Sequence, residues 1–364
     1  MSFVLPPYPY DRLDDAKAVA ASRHPDIVDL SVGTPFDAPP ASVVRALAES
    51  GTERSYPPSV GSPAFRDAAA RWMDRRLGVT VEPCSIGATI GSKEFVASVP
   101  HFLSLRDPSR DAVLFPAISY PSYAMGAALA GLRAVPVDTD PHGRIDLASI
   151  DPADAERALL LWVNTPGNPT GHLDDLDAVA AWGRSIGVPV FSDECYVEFT
   201  WRGAPRTILR SGSDGVVAVH SLSKRSNLAG VRVGCYAGDA ELVGFLREIR
   251  KHAGMMVPGP AQAAAIAAFD DDAHVDEQRQ RYDQRLRRLA EVLGEWAGHE
   301  IAGPDGAFYL WIPTADFGDG WAMANRLAHD AGAIVSPGEF YGAAGANFVR
   351  VAVVQPDHRL DEVA

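Results

Sequence analysis

Lysine is scarce in this 364-residue chain: it stands only at positions 17, 93, 224 and 251, and arginine supplies nearly all the other positive charge. Cysteine is scarcer still. Cys84, Cys195 and Cys235 are odd in number and lack paired spacing, which argues against a disulfide scaffold and suits reduced thiols in a cytoplasm. No apolar run approaches the roughly 18 residues of a membrane-spanning helix. The opening Met1–Pro7 lacks the basic residues and long apolar stretch of a signal peptide, so a cytoplasmic location is expected. The histidines show no ligand spacing such as His-Glu-x-x-His, and no metal is expected. With a net charge of -14, nucleic acid is not an expected partner, nor is a membrane. The Gly-x-Gly-x-x-Gly string that a dinucleotide oxidoreductase needs after a strand is absent.

What is present alternates. Helical periodicity recurs at residues 41–49, 64–77, 95–105, 122–130 and 173–186, separated by apolar runs at 112–115, 159–163, 188–191 and 216–219 that read as buried strands. Such alternation predicts a mostly parallel sheet with helices on both faces. A further strand is expected at 233–237, then helices at 241–251 and 262–293, the second broken near Asp270. The charge-rich run 277–288 reads as a solvated face on a helix crossing between domains. A chain of this length exceeds what one core usually serves, so a large and a small domain are expected. The small domain would hold 307–311, 321–330, 334–336 and 348–353. The sequence reaches Asp361–Ala364 where another helix would begin, so it reads as cut short.

The chemistry concentrates at strand ends. Ser221-Leu222-Ser223-Lys224 follows the run Val216–Val219, and Arg232 comes eight residues after Lys224. A desolvated lysine can lose its proton and attack a carbonyl, which a guanidinium cannot do. Two hydroxyls and Arg232 beside it could make a phosphate cradle; taken alone, such a string is more often a surface loop with a solvated lysine, and other segments must decide. Val190-Phe191-Ser192-Asp193 is a strand ending in a carboxylate, with Tyr196 three residues on. A carboxylate so placed needs a cation, and a protonated pyridine nitrogen is one; a helix N-cap is the competing reading. Leu159–Val163 runs into Asn164-Thr165-Pro166-Gly167-Asn168-Pro169-Thr170-Gly171, whose composition also suits an ordinary turn.

Asn-Pro-Thr-Gly, then Ser-Asp-Glu-Cys-Tyr, then Ser-Leu-Ser-Lys with its Arg, in this order and at these separations, resembles the fold-type I pyridoxal-phosphate aminotransferases. The resemblance covers residues 29–350. It implies an α/β fold: a three-layer large domain with a mostly parallel sheet at 31–270, and a smaller α+β domain at 271–364 packed with an N-terminal arm at 1–30. It implies pyridoxal 5'-phosphate as cofactor, bonded by Lys224. Asp193 would face the pyridine nitrogen, while Tyr196 and Asn168 would hold the ring oxygen. Ser221, Ser223 and Arg232 would take the phosphate. Gly91, Ser92 and Lys93, which open a helix-periodic run, would help them through free N–H groups and the helix dipole. Tyr120 would stack on the ring, and Tyr56 would reach the phosphate of a neighbouring subunit, making the protein a homodimer with shared sites. Arg350, interrupting the half-buried run Asn347–Val353, would clamp the substrate's α-carboxylate, with Gly33 and Asn168 beside it.

The opening Leu5–Tyr10, the loop Gly91–Glu94 and the string Arg250–Pro260 resemble actinobacterial-type N-succinyl-diaminopimelate aminotransferases. This implies transfer between glutamate and N-succinyl-2-amino-6-oxopimelate, in lysine and diaminopimelate synthesis. The extra substrate carboxylates would need further cations, for which Lys93, Arg54 and Lys251 are candidates. The partners are then small amino acids and 2-oxo acids. Alternatives are an aminotransferase of other specificity, such as aspartate or LL-diaminopimelate, or a pyridoxal-phosphate C–S lyase. A transcription regulator on an idle aminotransferase domain would carry an added DNA-binding domain, and only about 30 residues precede the first motif here.

Overall fold

Aliphatic runs bounded by turns become the strands of this protein. The computed structural model describes residues 8–52, 54–314 and 317–363, so part of the expected N-terminal arm, residues 1–7, lies outside them. The strands are β1 (Val28–Asp29), β2 (Ile86–Thr89), β3 (Ala112–Pro116), β4 (Arg133–Val137), β5 (Ala158–Asn164), β6 (Val190–Asp193), β7 (Val216–Ser221), β8 (Gly234–Gly238), β9 (Tyr309–Pro313), β10 (Ala333–Ile334), β11 (Ser336–Pro337) and β12 (Phe348–Ala352). The helices in the first half are α1 (Asp14–Arg23), α2 (Ala41–Ala48), α3 (Pro63–Trp72), α4 (Ser92–Arg106), α5 (Ser122–Leu129), α6 (Pro152–Arg157) and α7 (Leu176–Ile186). Then follow α8 (Leu222–Arg225), α9 (Ala240–His252), α10 (Gly259–Asp270), α11 (Ala273–Ala297), α12 (Gly320–Ala331) and α13 (Asp357–Leu360).

A seven-stranded sheet has the order β2-β8-β7-β6-β5-β3-β4. Its strands run parallel except β8, which is antiparallel to both neighbours. Because side chains alternate across a sheet, Leu161 and Val163 of β5 pack on one face with Trp72, Val179 and Ala264, while Leu160 and Trp162 pack on the other with Phe95, Tyr123 and Leu246. Helices α3, α7 and α10 therefore cover one face and α4, α5 and α9 the other, which explains why these strands are apolar on both sides. A second sheet, β11-β12-β9, is antiparallel, and β1 pairs with β10. The N-terminal helix α1 packs through Ala16 and Ala20 with Ala328 of α12.

Three expectations need correction. Gly87–Glu94 reads as a loop, yet Ile86–Thr89 is a strand. Its Gly87 is needed because a Cβ there would sit 2.3 Å from the Tyr236 ring across the sheet, so the glycine marks close packing rather than a turn. The run 277–288 is not wholly solvated. Tyr282, Arg285 and Leu286 of α11 are buried, and Arg285 forms ion pairs of 2.6 Å with Asp37 and with Asp357. Near the C-terminus the short helix lies at Asp357–Leu360, ahead of the position expected.

Candidate active site

Strands β5, β6 and β7 end side by side, and their last residues, Asn164, Asp193 and Ser221, face one cavity of about 480 Å³. The edge is the carboxyl edge of the parallel sheet, where ligands collect in folds of this kind. The reversal of β8 matters here. Its amino end, not its carboxyl end, lies beside Ser221, with Ser221 paired to Gly234, so Arg232 just upstream reaches the same cavity.

Lys224 sits on α8, a single turn begun by the Ser221 side chain, which accepts from the Ser223 N–H. Its Nζ donates to the Gly33 carbonyl. Burial lowers this amine to about 8, and the Arg350 and Arg232 charges push the same way against Cys195 and Asp193. A neutral amine is thus within reach near neutral pH, as a nucleophile or a base requires.

Asp193 is buried, and burial raises its carboxyl above the usual range against the hydrogen bonds it accepts. The Tyr123 hydroxyl donates to Oδ2 at 3.0 Å and the Cys195 N–H to Oδ1 at 3.3 Å. No ion pair satisfies it among the described residues. Beneath it, Asn164 Nδ2 donates to the Asp193 carbonyl at 2.8 Å, while Asn164 Oδ1 accepts from the Asn168 N–H at 2.8 Å. The Asn164 amide thereby locks the loop bearing Asn168 to the end of β6. The Tyr196 hydroxyl lies 2.8 Å from that of Tyr309.

Arg350 enters from the second sheet, on β12 between Trp311 and Ser336. It is 1% exposed, yet its partners are neutral: Asn168 Oδ1 at 2.8 Å, the Ser31 carbonyl and the Tyr10 hydroxyl at 3.3 Å. Its guanidinium lies 4.2 Å from the Tyr309 ring centre and 4.9 Å from that of Tyr341. Among the described residues no carboxylate pairs with it. A buried cation without a counter-charge is costly unless an anion arrives.

On the opposite wall, α4 starts after Gly91 (φ 74°) with no side chain capping it, and Ser92 and Lys93 line the cavity. The Arg232 guanidinium rests on Gly91, where a Cβ would lie 2.2 Å from Nη2. Arg232 Nη1 also reaches Ser223 Oγ at 3.4 Å. These groups together offer an anion site of N–H, hydroxyl and guanidinium donors. Lys93 Nζ stands 5.2 Å from the Tyr8 ring centre and 5.6 Å from that of Tyr120. Burial would lower this amine, but the Tyr120 and Tyr8 phenols outweigh it and raise the net value, so it stays charged.

Of the residues expected from sequence, the cavity gathers Gly33, Ser92, Lys93, Tyr120, Asn168, Asp193, Tyr196, Ser221, Ser223, Lys224, Arg232 and Arg350. Gly91 lies just behind Arg232. Tyr56 is 94% exposed and outside the cavity of its own chain. Arg54 and Lys251 do not line it either, and Lys251 instead faces Glu248 at 3.8 Å. The expectation that those two cations serve the substrate is not met within one chain. Sequence reasoning missed Tyr10, Tyr123 and Tyr309 as site residues. Tyr123 had a usable signal three residues after Tyr120, and Tyr10 closes the Leu5–Tyr10 string, whereas Tyr309 belongs to no motif. A wider groove, about 750 Å³, lies between α11 and residues 298–304 and shares none of these groups.

The family model for aminotransferase class I and II matches residues 25–364. The chain is 43% identical over 369 residues to the 4-dedimethylamino-4-oxo-anhydrotetracycline transaminase OxyQ of Streptomyces rimosus, covering 99% of this chain and 98% of that one. It is 41% identical to the probable aminotransferase Rv1178 of Mycobacterium tuberculosis, with coverage of 99% and 84%. To the LL-diaminopimelate aminotransferase of Aquifex aeolicus it is 34% identical, with coverage of 99% and 96%. Among solved structures, a probable N-succinyldiaminopimelate aminotransferase from Thermus thermophilus superposes with a TM-score of 0.87 at 29% identity, covering 97% of this chain and 98% of that one. A cavity built on a half-buried lysine and a buried carboxylate, in a sheet of this topology, accords with those likenesses: the chain belongs to the class I and II aminotransferases, a pyridoxal-phosphate-dependent family of the fold-type I architecture.

Proposed function

We propose that this aminotransferase moves an amino group between glutamate and N-succinyl-2-amino-6-oxopimelate, with Lys224 as the residue that bonds the cofactor and carries the proton. The observation that carries the reading is Arg350, buried without a carboxylate partner among the described residues, in the same cavity as a lysine whose amine titrates near 8. The residues present fit pyridoxal phosphate: an uncapped helix end, two serine hydroxyls and Arg232 for the phosphate, and at the other side a buried carboxylate lacking a cation.

When bound, the cofactor supplies the electron sink that makes a Cα–H bond acidic. The chain supplies the rest. With its basicity lowered by burial, Lys224 would take the α-proton of the substrate as a neutral amine near neutral pH and give it back as a general acid. Asp193 would keep the pyridine nitrogen protonated, with the Tyr123 hydroxyl fixing its carboxylate. Tyr196, Asn168 and Tyr120 would hold the ring. Ser221, Ser223, Arg232 and the Gly91–Lys93 end of α4 take the phosphate. Arg350 grips the α-carboxylate of the substrate next to Gly33 and Asn168.

A second protomer would bring Tyr56, exposed on its own chain, to the cofactor phosphate, so the homodimer is the working unit. Residues 31–270 would form the cofactor-binding unit, since the seven-stranded sheet lies within 86–238 and α10 stops at Asp270. The remainder, with the arm at 1–30, would form the smaller one.

Lys93 belongs to the phosphate end of α4 through its backbone N–H, and its charged side-chain amine in the cavity supports a substrate with more than one carboxylate. A second reading, LL-diaminopimelate specificity, is favoured by the 34% identity to the Aquifex aeolicus enzyme. Glutamate alone should convert the bound cofactor to its amine form, whereas a lyase would release ammonia and pyruvate from a suitable donor. A panel of acceptors then decides specificity. The succinylated oxo acid should be preferred by at least about tenfold in kcat/KM over oxaloacetate and over the LL-diaminopimelate pair. Equal or better use of either competitor would reject this assignment.

A further inference from the structure

Glu94 places a negative charge where an anion is expected to bind. It lies in the first turn of α4, three residues after Gly91, so it would compete with a phosphate for the positive end of that helix. The structure shows where this charge goes. Arg250 of α9 donates from Nη1 to Oε1 at 2.7 Å and from Nη2 to Oε2 at 2.8 Å, a two-pronged ion pair. The same carboxylate accepts the Ile90 N–H at 3.2 Å and the Ser98 hydroxyl at 3.0 Å. Arg250 is 1% exposed, and its guanidinium lies 5.3 Å from the Phe95 ring centre and 5.9 Å from that of Tyr236. Those two rings stack on each other at 4.5 Å. A fork so enclosed has little freedom to turn elsewhere.

We propose that Arg250 and Glu94 form a positioning pair for the cofactor phosphate, without touching it. Glu94 is drawn back onto the Ile90 N–H and the Arg250 fork, which ties the loop before α4 to α9. Arg250 cancels the carboxylate charge that would otherwise repel a dianion. Among the described residues no side chain then caps α4, and its first N–H groups stay available. The pair rests on the reading that this helix end receives the phosphate.

The test titrates apoenzyme with pyridoxal phosphate and, separately, with pyridoxal, which lacks the phosphate. Arg250→Met should weaken pyridoxal phosphate by roughly 10- to 100-fold, the cost of leaving one partner of a close ion pair uncompensated. Pyridoxal affinity should not change. Adding Glu94→Gln to Arg250→Met removes the stranded charge and should recover most of the loss. Arg250→Lys, which keeps one contact, should give an intermediate, phosphate-selective loss, and serves also if Arg250→Met does not fold. Equal weakening of both ligands, or no recovery in the double variant, would overturn the pair and leave only a structural role. If the unsubstituted protein bound both ligands equally, the underlying phosphate reading would fail instead.

Discussion

Arg350 and Asn168 join the two sheets: Nη1 of the arginine donates to Oδ1 of the asparagine at 2.8 Å across 182 residues of sequence. The bond aims the guanidinium into the cavity while leaving its positive charge unpaired among the described residues. It also ties the proposed carboxylate clamp to the loop that follows β5, so the two halves of the site are positioned by each other.

Replacing Arg350 with alanine should cost about 3 kcal/mol of transition-state stabilisation, or roughly a hundredfold in kcat/KM for glutamate. Turnover of a primary amine lacking an α-carboxylate should not fall. Steady-state rates with both donors check this. An equal loss with both would move Arg350 from substrate binding to scaffolding.

The Lys224 amine, lowered by burial to about 8, should govern capture of the cofactor by apoenzyme. The neutral amine is the nucleophile, so the capture rate should fall roughly tenfold per pH unit below about 8 and level off above it. An ordinary lysine would level off only above about 10.5. Stopped-flow absorbance between pH 6 and 9 reads the profile, and Lys224→Ala should show no covalent capture at any pH. A flat profile in the unsubstituted protein would contradict the assignment.

Gly91→Ala should weaken cofactor binding by about tenfold, with a backbone cost of about 1–2 kcal/mol. Its φ of 74° is strained for an L side chain, and its Cβ would meet Arg232 Nη2 at 2.2 Å. The guanidinium is the mobile end of a long side chain, so it would shift rather than the helix. A crystal structure of the variant with Arg232 unmoved and affinity intact would refute this.

Glu194 and His220 lie buried behind Asp193 and Ser221, 3.7 Å apart, with Glu194 Oε2 and both ring nitrogens unpartnered among the described residues. Burial pushes Glu194 up to about 8 and His220 down to about 3. Above pH 6.5 the unfolded chain has released both protons, while the folded chain retains the one on Glu194 until about pH 8. Folded stability from this group therefore falls as pH rises through that window, by at most about 1.4 kcal/mol per unit. Below pH 6.5 the histidine works in the opposite sense. Glu194→Gln should flatten the decline between pH 6.5 and 8 in urea unfolding of the apoprotein. An unchanged slope would show that another group sets it.

Much of the site could be placed from strings alone because parallel strands end in the same direction. Asn164 directly follows an apolar run, and Asp193 and Ser221 follow theirs after one polar residue, Ser192 or His220, so their placement at strand ends required no tertiary information. The phenols could not be placed this way. Tyr10 and Tyr309 reach the cavity through an N-terminal turn and a separate antiparallel sheet, and neither stands at the end of a parallel strand. Lys251 and Arg54 do not line the cavity of their own chain, and charge on an exposed helix or turn has no sequence signature for the direction it faces.

By itself the sequence determined the alternating α/β layering, through the period of its apolar residues, and the choice of an amine at 224 where arginine is the rule. Only the tertiary structure decided that β8 runs backwards, which carries Arg232 to the carboxyl edge, and that Glu94 is neutralised by Arg250 from another helix. Local periodicity marks the apolar residues that become buried, because their burial follows from hydrophobic free energy residue by residue. Strand direction and ion pairing depend on how distant segments meet, and these are set by packing of the whole chain.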